Sequence, residues 1–186
     1  MGSGNSGNFS GTSGAAAAAE ASTKTASQSY EGADIPGNWE GHFTKADGFS
    51  RDKGVKGAHT EEAFEQYFKD NNWAYKQVDS VSHPTIDGIR DIKYQVQNRD
   101  AKLNLIEGQY RAKKYEKTLV DSTKISMDKM KKWINEARNN GTIKPIKNNN
   151  FKFEGTAKNG LKFEGWLNAK GEFDSIYPIL QSMGLL

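Results

Sequence analysis

Two histidines carry the side-chain types that can do acid–base chemistry near neutral pH. His42 and His59 stand seventeen positions apart, in Gly41-His42 and Gly57-Ala58-His59. The stretch between them, residues 43–56, is rich in Gly, Lys, Arg and Asp and shows no apolar periodicity. That pattern places both rings at the edges of one exposed, basic segment. An imidazole titrates near pH ~6.5. One neutral ring can therefore take the proton of an RNA 2′-hydroxyl while a protonated one donates to the departing 5′-oxygen. Each such transfer contributes on the order of 10²–10⁴ in rate. Taken singly, each histidine reads more readily as a loop residue with a local hydrogen bond; the pair around one basic loop favours chemistry. His83, in Ser82-His83-Pro84, reads as structural.

Other positions gain meaning only beside that pair. Lys117, in Glu116-Lys117-Thr118-Leu119-Val120-Asp121, lies near a strand end, where an ammonium could stabilise charge building on a phosphorane. On its own it would be one solvated lysine among many. Ser175 and Tyr177 fall on the same face of a final strand by alternation. A tyrosine there can stack on a base while a hydroxyl reads its edge; a tyrosine at the core rim is the equally simple alternative. No phosphate-binding loop, dinucleotide fingerprint or nucleophile elbow is present. With no cysteines and three scattered histidines, no metal ligand set is recognisable. Asp87 and Asp91 are available, but Glu107-Gly108-Gln109 lacks the lysine of a metal-dependent nuclease motif. No cofactor or metal is expected, and cleavage should persist in EDTA.

The elements that must position these residues are legible from about Pro36 onward. Residues 1–35 are dominated by Gly, Ser, Ala, Asn and Thr, and read as a disordered linker or tail, with a chain beginning near Pro36 expected to suffice. That segment holds one basic residue (Lys24) and three acidic ones (Glu20, Glu31, Asp34) of the 26 and 23 in the chain. Residues 36–186 therefore carry 25 basic against 20 acidic, net +5. This suits a polyanionic partner without requiring one. No run is long and apolar enough to span a bilayer, and no signal peptide is readable at Met1.

Thr60 caps a helix over 61–69, whose Ala63, Phe64, Tyr67 and Phe68 share a face. Strands are expected at 73–80, 89–97 and 110–120. Ser126 opens a second helix, bearing Met127, Met130, Ile134 and Ala137 and ending before Gly141. A meander closes the chain: 151–156, a turn at Asn159-Gly160, 161–167, a turn at 169–171, and 173–177. The fold class is α+β, an N-terminal helical half followed by antiparallel β-sheet.

Several segments together resemble a known family. Gly41-His42-Phe43, Lys45-Ala46-Asp47-Gly48-Phe49-Ser50, Lys53-Gly54-Val55 and Gly57-Ala58-His59 resemble the active-site segment of bacterial EndoU-type endoribonucleases. More narrowly, they are similar to the C-terminal toxin domains of contact-dependent growth inhibition proteins. The run His83 to Ile89 with Ile92-Lys93-Tyr94, Lys117-Thr118 with Asp121, Ser126 and Met130, Gly155-Thr156-Ala157 with Asn159 to Phe163, and Ser175-Ile176-Tyr177-Pro178 extend the likeness over residues 37–178. Such toxins usually carry an aromatic at Val120 and a proline at Ser122, a difference of loop shape.

The resemblance implies an EndoU/barnase-like RNase architecture and metal-independent cleavage 3′ of uridine, leaving a 2′,3′-cyclic phosphate and a 5′-hydroxyl. It makes His42, His59 and Lys117 catalytic, with His59 as base and His42 as acid, and assigns Ser175 and Tyr177 to uracil. It further implies a tRNA substrate, a cognate immunity protein, and an upstream delivery protein of which this is the C-terminal part. The effector would be secreted or cell-surface and delivered to the target-cell cytoplasm. The competing reading is a non-catalytic RNA-binding domain using the basic loop and Tyr177; a third is a similar RNase with another base choice.

Overall fold

The computed structural model describes residues 29–180. The expectation of disorder for residues 1–28 lies outside the described residues.

The element order is α1 (Trp39–Thr44), β1 (Ala46–Ser50), β2 (Gly54–Gly57), α2 (Glu61–Asp70), β3 (Tyr75–Ser82), β4 (Ile89–Arg99), β5 (Leu105–Tyr110), β6 (Tyr115–Val120), α3 (Met127–Asn140), β7 (Thr142–Pro145), β8 (Phe151–Thr156), β9 (Lys162–Leu167) and β10 (Phe173–Ile179). The class is α+β with antiparallel sheets throughout. The expected helical N-terminal half is corrected: α1 and α2 are short, and β1–β4 fill most of that half. The Gly- and Lys-rich stretch after His42 closes on itself as the β1–β2 hairpin, whose cross-strand pair Phe49 and Val55 packs into a core.

The starts of α2 and α3 are made by the residues that local chemistry favours. The Thr60 side chain accepts the Ala63 N–H, and Ser126 accepts the Lys129 N–H. Phe64 and Phe68 are buried one turn apart on α2, as are Met130, Ile134 and Ala137 on α3.

Two cores result. One gathers α1, α3 and the sheet β10-β9-β8-β7, with Phe43, Phe153, Phe163, Phe173 and Ile176 fully buried. The other sets Phe64 and Phe68 of α2 against Ile92, Tyr94 and Val96 of β4. The single strand expected over 110–120 is two. β6 pairs Tyr115 with Tyr94, and β5 pairs Tyr110 with Gln97 further along β4. Between them residues 111–114 lie outside both strands: Arg111 N–H still donates to the Val96 carbonyl of β4, while the Arg111 carbonyl accepts from the Gln95 side chain.

The domain also begins before Pro36. Tyr30 is 3% exposed and Ile35 is buried against the first core. The Arg138 guanidinium lies 3.9 Å over the Tyr30 ring, and Asn135 donates to the Ala33 carbonyl. Residues 30–35 therefore form a strap across α3 rather than the end of a tail. Burying an apolar side chain contributes roughly 1.5–3 kcal/mol. A chain starting at Pro36 is expected to melt several degrees or more below one starting at Ser29, as thermal denaturation followed by circular dichroism will show.

Candidate active site

Three structural units meet at one cleft: the α1–β1 corner, the β2–α2 connection with β6, and β10 of the second sheet. The cleft has a volume of about 720 Å³, and His42, His59, Lys117, Ser175 and Tyr177 all line it.

His42 sits in the last turn of α1, one residue before the buried Phe43. Trp39 and Phe43, four apart, anchor that short helix in the core and turn His42 toward the cleft. His59 arrives through a strained approach. Gly57 and Ala58 both adopt positive φ, at 65° and 51°. At Gly57 a Cβ would stand 2.5 Å from the Lys45 carbonyl oxygen, so only glycine fits. The main chain then clasps α1: Ala58 N–H donates to the His42 and Lys45 carbonyls, and His59 N–H to the Phe43 carbonyl. The His59 carbonyl accepts in turn from Val120 N–H, which ties it to β6. The two imidazoles finish with ring centroids 5.4 Å apart.

Their surroundings differ. His42 Nδ1 is hydrogen-bonded to the Asp47 carboxylate at the start of β1. His59 Nδ1 faces the Thr118 carbonyl at 3.4 Å. A carbonyl only accepts, so His59 carries its proton on Nδ1 and leaves the Nε2 lone pair free. Thr118 is itself held by donation from its hydroxyl to Asp91, at 2.5 Å. His59 is only 6% exposed. Burial, then the Lys117 and His42 charges, hold its pKa well below the usual histidine value. Burial also lowers His42, but the Asp47 carboxylate pulls its pKa back up. The environments thus favour a neutral His59 beside a His42 more readily protonated.

Lys117 is 7% exposed. Its ammonium donates to the Val55 carbonyl at 3.1 Å and to the Gly57 carbonyl. Two of its three protons are so engaged, leaving one for a third acceptor. Burial pulls its pKa down to about 7, against the opposing pull of Asp47. The hairpin that supplies those carbonyls is pinned by two tyrosines: Val55 N–H donates to the Tyr94 hydroxyl, and the Tyr115 hydroxyl donates to the Arg51 carbonyl.

From β10, Tyr177 lies flat against His59, with centroids 4.7 Å apart and planes at 9°. Its hydroxyl donates to Glu164 on the paired strand β9 at 3.2 Å. One face of the ring is therefore covered by the histidine. Ser175 is buried beside it and pairs across the ladder with Trp166, which also lines the cleft.

The structure departs from the sequence expectations in two respects. His59 is buried rather than at the edge of an exposed loop, and Lys117 is buried too, unlike one solvated lysine among many. Asp47, Asp91, Glu164 and Trp166 also contact or line the cleft, a placement that the sequence reading did not assign to them. Asp47 has a local signal, lying five residues after His42 within the same motif; the other three come from distant strands. His83 stays outside the cleft, its Nδ1 accepting from the Thr85 and Ile86 N–H groups of its own turn. Among the described residues, no group of three or more His, Asp or Glu side chains gathers as a metal site would require.

The family model for the bacterial EndoU nuclease matches residues 38–180. A relative described as tRNA nuclease CdiA, from Escherichia coli (strain STEC_O31), is 29% identical over 141 residues. That alignment covers 74% of this chain and 4% of the relative, so the chain spans a small part of that protein's length.

Proposed function

The chain belongs to the bacterial EndoU nuclease family as an endoribonuclease, and we propose that it cuts RNA 3′ of uridine by transesterification, as the toxin part of a longer delivered protein. The observation that carries the mechanism is the unequal pair of facing histidines. His59 Nε2 takes the 2′-hydroxyl proton. The 2′-oxygen attacks phosphorus, the bond to the 5′-oxygen breaks, and His42 protonates that leaving oxygen. The products are a 2′,3′-cyclic phosphate and a 5′-hydroxyl. The remaining Lys117 proton meets the charge that builds on the equatorial oxygens. Asp47 favours the imidazolium form of His42, which is what a general acid requires. The chain's own groups thus provide base, acid and cation, and cleavage is expected to survive excess EDTA. Loss on chelation with restoration by manganese would overturn that.

Similarity to a tRNA nuclease supports tRNA as the substrate class. Delivery into a target-cell cytoplasm from a secreted or cell-surface protein, and a cognate immunity protein as inhibitor, complete the proposal. Sequencing of the 5′-hydroxyl ends produced in cells expressing the domain tests it. Enrichment of uridine before the cut supports the reading, and random ends defeat it.

Ser175 and Tyr177 are assigned to uracil, with one face of Tyr177 for the base and the other against His59. Base stacking is worth about 1–3 kcal/mol, roughly one to two powers of ten in binding. Tyr177→Ala is expected to blunt the uridine preference by that factor and, through loss of the His59 stack, to lower kcat as well. A variant that keeps full uridine selectivity would leave Tyr177 with the positioning role only.

A further inference from the structure

Some distance along β4 from the reacting groups, two arginines stand together with nothing acidic to balance them. The Arg99 guanidinium lies 4.0 Å over the Trp73 ring, and that of Arg111 lies 5.4 Å from the same ring. Arg111 also approaches Phe49, at 5.8 Å. Among the described residues no carboxylate comes within ion-pair distance of either arginine. Arg99 Nε is buried without a hydrogen-bond partner. Burial and the neighbouring Arg111 charge both pull the Arg99 pKa down, opposed by Tyr67. Like charges held side by side and undersatisfied make an anion receptor.

The pair is continuous with the cleft. Lys53, Lys114 and Tyr115 line the cleft. Tyr115 packs on Phe49 at 5.3 Å, and Phe49 on Trp73 at 4.8 Å. A row of rings, Tyr115 buried and Phe49 and Trp73 half-buried, thus runs edged by cations from the cleft to the arginines. The break in the ladder at residues 111–114 is what presents Arg111 there. Six residues of extended chain separate Arg111 from Lys117, at most about 20 Å. At ~3.4 Å per stacked nucleotide, that is roughly six nucleotides.

We propose that Arg99 and Arg111, set on Trp73 and Phe49, form a second RNA subsite that holds a backbone phosphate of the substrate strand several nucleotides from the scissile bond. The proposal rests on the RNA-cleaving reading above. Guanidinium groups engage phosphate oxygens in pairs, and the aromatic floor suits an unstacked base. The subsite carries no sequence information, so it adds affinity for longer strands and leaves base choice to the cleft.

The test compares two substrates at several salt concentrations. One is a uridylyl dinucleotide, which reaches only the cleft. The other is a single strand with one uridine and about ten nucleotides on each side, enough to cross the ~20 Å. Wild type is expected to favour the longer strand by about tenfold or more in kcat/KM. Arg99→Gln with Arg111→Gln should remove that advantage through KM and leave the dinucleotide unchanged. The salt slope should fall by about 0.7 for each phosphate the variant no longer neutralises. Arg111→Gln alone, which leaves the Arg99–Trp73 stack in place, should give part of the effect at unchanged melting temperature. If the double variant keeps wild-type KM and slope on the long strand, or if Arg111→Gln slows both substrates alike, the subsite is wrong. Equal cleavage of both substrates by wild type overturns the subsite alone. Cleavage of neither overturns the RNA reading and the subsite together.

Discussion

Replacing either cleft histidine by alanine is expected to lower RNA cleavage about 10²-fold or more while the domain stays folded. The two variants should also differ in their pH profiles, because the two rings do not share one environment. The base must be neutral and the acid protonated. Activity therefore rises with pH through the depressed pKa of His59 and falls as His42 loses its proton. Burial keeps the His42 pKa below 6.5 even with Asp47 beside it, so kcat/KM should be greatest on the acid side of pH 6.5. Asp47→Asn removes the stronger of the two carboxylates that raise His42, the other being Asp174, and its alkaline limb should move to lower pH. In the enzyme–substrate complex the bound phosphate charge favours both imidazolium forms, so the limbs of kcat should lie higher than those of kcat/KM. A kcat/KM profile of wild type and Asp47→Asn from about pH 4.5 to about pH 8.5 spans both limbs and checks this. Near wild-type cleavage by His42→Ala or His59→Ala, or an unmoved limb in Asp47→Asn, contradicts the assignment.

Lys117→Met is expected to cost about 10²–10³ in kcat, the usual loss on removing a group that faces transition-state charge. KM should move little, since the remaining ammonium proton meets charge that develops only during reaction. Steady-state kinetics on a uridine dinucleotide separates the two. The same lysine makes a linked prediction about stability. Its folded pKa of about 7 lies below its ordinary value of 10.5, so between those values the unfolded chain binds more protons. Stability from this group therefore increases as pH rises from about 7. Wild type should gain melting temperature between about pH 7 and about pH 9, and Lys117→Met should lose that dependence. A pH-independent wild-type melting temperature would mean that the ammonium is better solvated than its 7% exposure implies.

Much of the fold was legible because its signals are local. Thr60 and Ser126 satisfy helix N–H groups three residues on, and apolar residues at helical spacing follow each of them. Asn159-Gly160 lies between β8 and β9, where its positive-φ glycine closes the turn. The misread segments are those whose order comes from elsewhere. The β1–β2 hairpin looks like a solvated loop until Tyr94 and Tyr115 reach across from other strands to fix it. The strand expected over 110–120 is split, and at the split the Gln95 side chain of β4 takes the place of a ladder donor to the Arg111 carbonyl. Tyr30 and Ile35 end a Gly- and Ser-rich run, and their place comes from distant residues: Arg138 and Asn139 of α3 for Tyr30, and the first core for Ile35.

The sequence by itself determined which groups could react: two histidines around a glycine-rich turn, a lysine in a strand, and a tyrosine two residues after a serine. Those are properties of side-chain type and short spacing, which a linear chain displays. Only the tertiary structure decided what each group is prepared to do. Burial and two neighbouring cations make His59 the neutral ring, whereas Asp47 favours charge on His42. Two carbonyls of β2 hold the Lys117 ammonium in a slot with one proton to spare, and β10 lays Tyr177 on His59. Desolvation and charge fall off over a few ångströms in space, and residues 42, 59, 117 and 177 share that distance only once the two sheets have closed on one another.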